Sequence, residues 1–298
     1  MRITILYITS ILIWGSTWFA IKFQLGHIDP ILSIAYRFLL ASVILFFYCL
    51  MVGLRLRFRW KDHAFIALQG FLSFTVSYWF VYMAEERVTS GLVAVIASSL
   101  ILANIVNSAL FLKTRINPLV VVGGLIGIAG IVLIFWHEVT AITLTDKNIY
   151  AIALVGSSTF FYSLGNITVE RNRKHRLPVI QTNMFSMAYA AIIMFALAAI
   201  LRKPFRFDMS LPYMGSLLYL AVLGSVVAFY CYFSLIGEIG ADKAAYAAVV
   251  IPMIALFLST LFESYRWTLL ACIGIVFLVT GNFFVINKKT VAQRKALF

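Results

Sequence analysis

The sequence predicts an all-α integral membrane protein of ten transmembrane helices, arranged as two inverted five-helix repeats. Three observations predict it: apolar runs long enough to cross a bilayer, cations gathered in alternate connectors, and rare residues that recur at one fixed offset in the second half.

The apolar runs come first. Of 298 residues, 63% are hydrophobic and only 12% charged, and the mean hydropathy is +0.98. Soluble domains carry roughly a quarter charged residues, so a water-soluble fold of this length has too little polar surface to cover its core. The apolar stretches run for about 18 to 24 residues, the length a helix needs to cross about 30 Å of hydrocarbon. Hydropathy places spans near 3–22, 30–52, 63–84, 89–112, 118–136, 148–170, 178–201, 212–236, 243–262 and 267–287. Pro30, Pro118, Pro178 and Pro212 each stand at the first turn of a span, where the missing N–H has no intrahelical partner to lose, and Pro252 alone lies within one. The first span is too long for a signal-peptide core and has no convincing small-residue cleavage site, so it is read as a retained helix.

Charge sets the orientation. With the N-terminus in the cytoplasm, sixteen cations face inward: Arg2, Arg55, Arg57, Arg59, Lys61, Lys113, Arg115, Arg171, Arg173, Lys174, Arg176, Lys243, Lys288, Lys289, Arg294 and Lys295. Seven face outward, Lys22, Arg87, Lys147, Arg202, Lys203, Arg206 and Arg266, and Arg37 is left inside span 2. The inside excess places both termini in the cytoplasm of a bacterial inner membrane. The net charge of +13 is spread over short connectors, which suits anionic lipid headgroups and not a nucleic-acid partner, whose basic footprint is a patch or stripe on one face.

A gapless offset of 151 residues lays Ser90–Leu133 on Ala241–Phe284. It superimposes Ser108 on Ser259, Phe111 on Phe262, Arg115 on Arg266, Gly123 on Gly274 and Gly130 on Gly281. An offset of 142 lays Ser16-Thr17-Trp18-Phe19 on Ser158-Thr159-Phe160-Phe161. The organisation read from this is a first repeat over 1–137, a second over 148–287 and a basic cytoplasmic tail over 288–298. Five spans per repeat is an odd number, so the second copy enters the membrane in the opposite sense. Inverted repeats favour a midplane site whose two halves exchange conformations, giving alternating access.

Several motifs resemble the drug/metabolite transporter superfamily, in its EamA-like ten-helix branch. They are Leu12-Ile13-Trp14-Gly15-Ser16-Thr17-Trp18, Pro30 followed by Arg37-Phe38, Pro252 followed by Leu261-Phe262-Glu263 and Tyr265-Arg266-Trp267, and the glycine-spaced helix closing each half. Ile101 stands where the first half would match Pro252, and Thr114 replaces the acidic residue often found before the Arg at Arg115. The resemblance implies a central cavity lined by spans 1, 3, 4, 6, 8 and 9, with spans 5 and 10 as packing or dimer elements, in a monomer or homodimer. It implies a secondary transporter, as exporter, exchanger or facilitator, for a small polar metabolite such as an amino acid or similar zwitterion. A lipid or lipid-linked translocase is the alternative.

The candidate substrate-binding residues are Trp14, Thr17, Tyr78, Trp79, Tyr82, Asn104, Tyr162, Asn166, Tyr230 and Tyr232, with Pro252 as a candidate gate because proline breaks the local ladder and kinks a helix. Tyr78, Trp79, Tyr82, Tyr230 and Tyr232 offer rings for planar or cationic solutes. Span 6 stacks Ser158, Tyr162, Asn166 and Glu170 on one face, and span 3 does the same with Gln69, Ser73 and Ser77. Span 4 carries Ser98, Ser99, Asn104, Asn107 and Ser108. Such stripes line a wet path or join helices. Arg37 is read as a structural cation bonded to backbone or hydroxyl groups, with a substrate carboxylate as the other reading. Trp60, Trp136 and Trp267 fall at span ends, as interfacial belt residues do.

Glu85 and Glu86 fall in a short outer loop and Glu170 and Glu263 at span ends. No acidic group stands on the path, which points to a facilitator or exchanger without a proton relay. Cys49, Cys231 and Cys272 lie in apolar spans and are read as buried small hydrophobes, and His27, His63, His137 and His175 are scattered over loops. No metal, cofactor or catalytic constellation is expected from these, and the enzyme class is set aside.

Overall fold

The computed structural model describes residues 1–21, 23–24, 28–85, 87–142, 145–262 and 268–286. Lys22, His27, Glu86, Glu263, Tyr265, Arg266, Trp267 and the 288–298 tail lie outside the described residues, as do the side chains of Trp18, Leu261 and Phe262.

The described residues fold into helices and connectors: α1 (Arg2–Ile21), α2 (Pro30–Met51), α3 (Trp60–Glu85), α4 (Ser90–Ala97), α5 (Leu100–Leu112), α6 (Pro118–Ile134), α7 (Trp136–Thr140), α8 (Asp146–Lys174), α9 (Val179–Ile200), α10 (Leu211–Ile239), α11 (Ala241–Ala244), α12 (Tyr246–Phe262) and α13 (Leu269–Ile286). Six stretches among them are long and apolar enough to cross a membrane: Pro30–Met51, Trp60–Glu85, Leu92–Leu112, Asp146–Lys174, Val179–Ile200 and Leu211–Ile239. Arg2–Thr17, Pro118–Ile134 and Leu269–Val285 are shorter apolar helices. Boundaries are set by local chemistry. Asp29 caps α2 by accepting the Ile31 N–H, and Asn117 caps α6 through Leu119, each just before the proline that opens the helix. Trp60 and Trp136 each open a helix and are exposed, as belt residues are.

Three departures from the expected spans matter. The stretch 89–112 is broken between α4 and α5, where the hydroxyls of Ser98 and Ser99 turn back onto the carbonyls of Val95 and Ile96 at 2.6 and 2.7 Å; serine hydroxyls compete in this way with the helical ladder. The helix expected over 148–170 runs from Asp146 to Lys174, so Glu170 is a turn inside it. Glu85, expected in a loop, is the last residue of α3. Cys49 and Cys231 are buried, whereas Cys272 is exposed, because it falls on the outer face of α13.

Packing follows the small residues. α6 lies against α13, with the backbones nearly in contact at their glycines: a Cβ on Gly123 would sit 2.8 Å from the Gly281 carbonyl, and one on Gly130 2.6 Å from that of Gly274. α2 packs along α9, α1 along α10 and α12, and α8 along α3 and α5. Gly15 lets α1 approach α12, since a Cβ there would meet Ile254 at 2.5 Å. One wide π-helical turn interrupts α3 over Phe71–Val76 and another interrupts α10 over Val222–Val227. These two turns are separated by the same 151 residues as the matched glycines, and so are the starts of α3 at Trp60 and of α10 at Leu211.

Candidate functional site

A cavity of about 210 Å³ opens among α1, α2, α3, α4, α5, α8, α10 and α12. A single water needs only about 10–15 Å³ of such space, so the volume suits a small metabolite. Aromatic rings form much of its wall. Trp14 from α1 stands edge-on to Phe229 at 5.0 Å and against Tyr232 at 4.9 Å. Its indole N–H donates to the Gly224 carbonyl at 3.2 Å, which fixes the ring. Behind it, Phe74, Phe229 and Phe233 pack together, with Phe74 and Phe229 centroids 4.7 Å apart. Tyr78 and Tyr82 reach the cavity from α3, Tyr162 from α8 and Tyr232 from α10. Thr17, Ser77, Ser158 and Thr159 add hydroxyls, and Pro252, over which α12 runs without interruption, lies in the wall.

The π turn of α10 has a local task. Its Gly224 carbonyl accepts from Trp14 and also from Arg37 Nη2 at 3.3 Å, and the Ser225 hydroxyl accepts from Arg37 Nε at 2.8 Å. Arg37 is 2% exposed, with its guanidinium carbon 5.3 Å from the Tyr78 ring centroid. The backbone and hydroxyl bonds expected of a structural arginine are therefore present. Arg37 nonetheless lines the cavity, bringing α2 into a site that the resemblance had assigned to spans 1, 3, 4, 6, 8 and 9 alone.

Glu85 is the main correction to the sequence reading. It lines the cavity, and its Oε1 is buried without a hydrogen-bond partner. The Tyr82 hydroxyl, one turn earlier, is likewise buried and unpartnered. Spacing held the signal: Tyr78, Tyr82 and Glu85 are four and three residues apart, so they share one helix face. Ending α3 one residue early hid it.

Of the sequence candidates, Trp14, Thr17, Tyr78, Tyr82, Tyr162, Tyr232 and Pro252 come together in the cavity. Four do not line it. Asn166 stands one layer out and donates to the Tyr232 hydroxyl at 3.2 Å. Trp79 packs on the side of the core against Phe80, and Tyr230 is 38% exposed on the outer face of α10. Asn104 donates to the Ala241 carbonyl at 2.8 Å.

That last bond belongs to a polar layer. Ala241 N–H donates to Glu170 Oε2 at 2.7 Å, so the backbone of one residue is held by both α5 and α8. Asn107 donates to Ser163, Asn172 to Gln69, and Gln69 to Asn183 and Ser186. Glu170 lies eight residues beyond Tyr162 on α8, about 12 Å at 1.5 Å per residue. The polar stripes thus divide: Ser158, Tyr162 and Ser77 face the cavity, while Gln69, Asn104 and Glu170 bond helix to helix away from it. Among the described residues, no group of three or more His, Cys, Asp or Glu is placed to hold a metal ion.

Comparison with known proteins agrees with this architecture. The model of the EamA-like transporter family matches residues 1–136 and again 149–287. Protein PagO of Salmonella typhimurium is 25% identical over 95% of this chain and 92% of its own length. The uncharacterized inner membrane transporter YedA of Escherichia coli K12 is 28% identical over 94% and 92%. A solved crystal structure at 19% identity superposes with a TM-score of 0.80 over 98% of both chains, which shows the shared fold. The chain belongs to the EamA-like transporter family within the drug/metabolite transporter superfamily, and it is a multi-pass membrane transporter, not an enzyme.

Proposed function

We propose that the protein carries a small zwitterion, of the size and kind of an amino acid, through this cavity by alternating access. The observation that carries the reading is the pairing of Arg37 and Glu85, opposite in charge, on the walls of one largely aromatic cavity. A zwitterion answers both charges at once, whereas an acyl chain answers neither, so the site suits an amino acid better than a lipid. Trp14, Thr17, Tyr78, Tyr82, Tyr162 and Tyr232 are the contact residues of this reading, Asn166 orients Tyr232, and Pro252 in α12 is its candidate gate.

The reading takes the chain as ten spans in two inverted repeats, 1–137 and 148–287, in the bacterial inner membrane with both termini cytoplasmic. The 151-residue offset supports it, because it relates the π turns as well as the glycines. The crossed glycine pairs support it too. Exchanging the halves sends Gly123 to Gly274 and Gly281 to Gly130, so the contact of Gly123 with Gly281 becomes that of Gly274 with Gly130. In this topology the cavity lies toward the outer side and the layer around Ala241 closes the cytoplasmic side, an outward-facing conformation. Melting that layer while the cavity closes over its solute would deliver the other conformation, in monomer or homodimer alike.

A thermal-shift screen of the detergent-purified protein against amino acids, polyamines, nucleotides and lipids tests the substrate class. A ligand at a hundred times its Kd adds about 2.7 kcal/mol to stability. Stabilisation by amino acids supports the reading, and stabilisation by lipids or nucleotides alone contradicts it.

A further inference from the structure

We propose that Glu85 is the exchange group of the cavity, holding a proton when the site is empty and the substrate's ammonium group when it is filled. The proposal rests on the reading of this cavity as the substrate site. Glu85 Oε1 is buried in the cavity wall with no hydrogen-bond partner, and the Tyr82 hydroxyl beside it on the same face has none either. A carboxylate in such a place is costly unless it is neutral or paired with a cation. Among the described residues, the neighbouring cations bond to groups other than Glu85. Arg37 from α2 is bound to Ser225 and Gly224, and Arg87 donates to the Met83 carbonyl with its guanidinium 5.5 Å from the Tyr150 ring centroid on α8. Among the described residues, the remaining titratable groups of the cavity wall are tyrosines: Tyr78 and Tyr82 on α3, Tyr162 on α8 and Tyr232 on α10. α4 (Ser90–Ala97) has none. Among the described residues no cation pairs with Glu85, and in this reading the partner of its ionised form arrives with the solute.

The exchange is balanced. The protonated carboxyl and R–NH3+ give the carboxylate paired with R–NH3+ plus one proton, released to cavity water. Proton and ammonium compete for one oxygen pair, so each conformational cycle carries one or the other, and an amine-bearing solute moves against a proton. Loss of the proton competitor makes amine binding tighten as pH rises through the carboxyl's titration. The sequence alone suggested the opposite, a path with no titratable acid.

The test uses full-length purified protein in weak buffer with a pH indicator, and three probes of one shape: phenylalanine, phenethylamine and 3-phenylpropionate. Expected for the wild type is release of about one proton per phenylalanine or phenethylamine bound, with affinity rising up to about tenfold per pH unit. Glu85→Gln should release none, bind phenethylamine at least about tenfold more weakly (about 1.4 kcal/mol) and lose its preference for phenethylamine over 3-phenylpropionate. Glu85→Asp should restore proton release. Wild-type affinity for phenethylamine in Glu85→Gln, or binding without proton release in the wild type, overturns the exchange role and leaves the cavity reading standing. Proton release by sodium chloride alone overturns the assignment to ammonium. If none of the three probes stabilises either protein, the cavity reading falls and the exchange role falls with it.

Discussion

Glu170→Ala should weaken the closure beneath the cavity by an amount that can be worked from the structure. The substitution removes the acceptor of the 2.7 Å bond from the Ala241 N–H and leaves, among the described residues, Asn104 holding the Ala241 backbone through its carbonyl. A hydrogen bond to a charged group contributes about 1.5–3 kcal/mol. The Glu170–Lys174 pair at 3.0 Å adds little, about 0.3–0.5 kcal/mol, because the lysine is half exposed. If these contacts exist only in the outward-facing conformation, the inward-facing population rises roughly 10- to 150-fold at about 1.4 kcal/mol per tenfold. Ser108 offers the probe position. It is 1% exposed on α5, one turn from Asn104, and its hydroxyl is unpartnered. In a background with Cys49, Cys231 and Cys272 replaced, the alkylation rate of Ser108→Cys should rise by that factor when Glu170→Ala is added. A cysteine at Ala41, fully buried on α2, is the control for general loosening. An unchanged rate at Ser108→Cys, or an equal rise at Ala41→Cys, refutes the view that the Ala241 layer is a gate.

Other outcomes follow from the same contacts. Gly281→Ala should lower the Tm, since its Cβ would sit 2.3 Å from the Tyr246 hydroxyl and 2.6 Å from the Gly123 carbonyl; overpacking of this kind costs about 1–3 kcal/mol. Gly156→Ala meets nothing within 4 Å and should be neutral or stabilising by up to about 1 kcal/mol in the same thermal melts. Arg37→Ala strips the donors from Ser225 and Gly224 and should destabilise the protein by about 1–3 kcal/mol, while Arg37→Lys should keep more of the fold and lose affinity for carboxylate-bearing probes. A reporter fused after Phe298 should be active only as a cytoplasmic fusion, and a periplasmic signal there would overturn the topology.

The fold was legible because a membrane helix announces itself by length and hydropathy, and the positions of Pro30 and Pro118 fix where two of the helices begin. The proposed repeat draws on a different signal. The spacing from Gly123 to Gly130 recurs from Gly274 to Gly281, and these four glycines meet at one helix crossing where a Cβ would crowd the facing backbone. The cavity lining was legible where an aromatic residue lies deep in a span, as Trp14, Tyr162 and Tyr232 do. It was not legible where a polar side chain has two outlets. Asn104, Asn166 and Ser158 share the same periodicity, yet one holds Ala241, one holds Tyr232 and one borders the cavity, and only the neighbouring helices decide. Arg37 shows the same ambiguity, since the π turn that receives it is a feature of α10, almost two hundred residues away in the chain. Glu85 was lost to a boundary: one more residue of α3 turns a loop acid into a wall of the cavity.

In the proposed function a zwitterion passes through the cavity walled by Trp14 and Tyr232. Counterflow tests it most directly. Proteoliposomes loaded with the amino acid that most stabilises the protein are diluted into a trace of the same compound in radiolabelled form. Wild-type protein should draw label inward in a transient overshoot, and Trp14→Ala, folded by thermal melt, should slow it at least about tenfold, a loss of about 1.4 kcal/mol. No overshoot above protein-free liposomes, or an overshoot in Trp14→Ala at the wild-type rate, would contradict it.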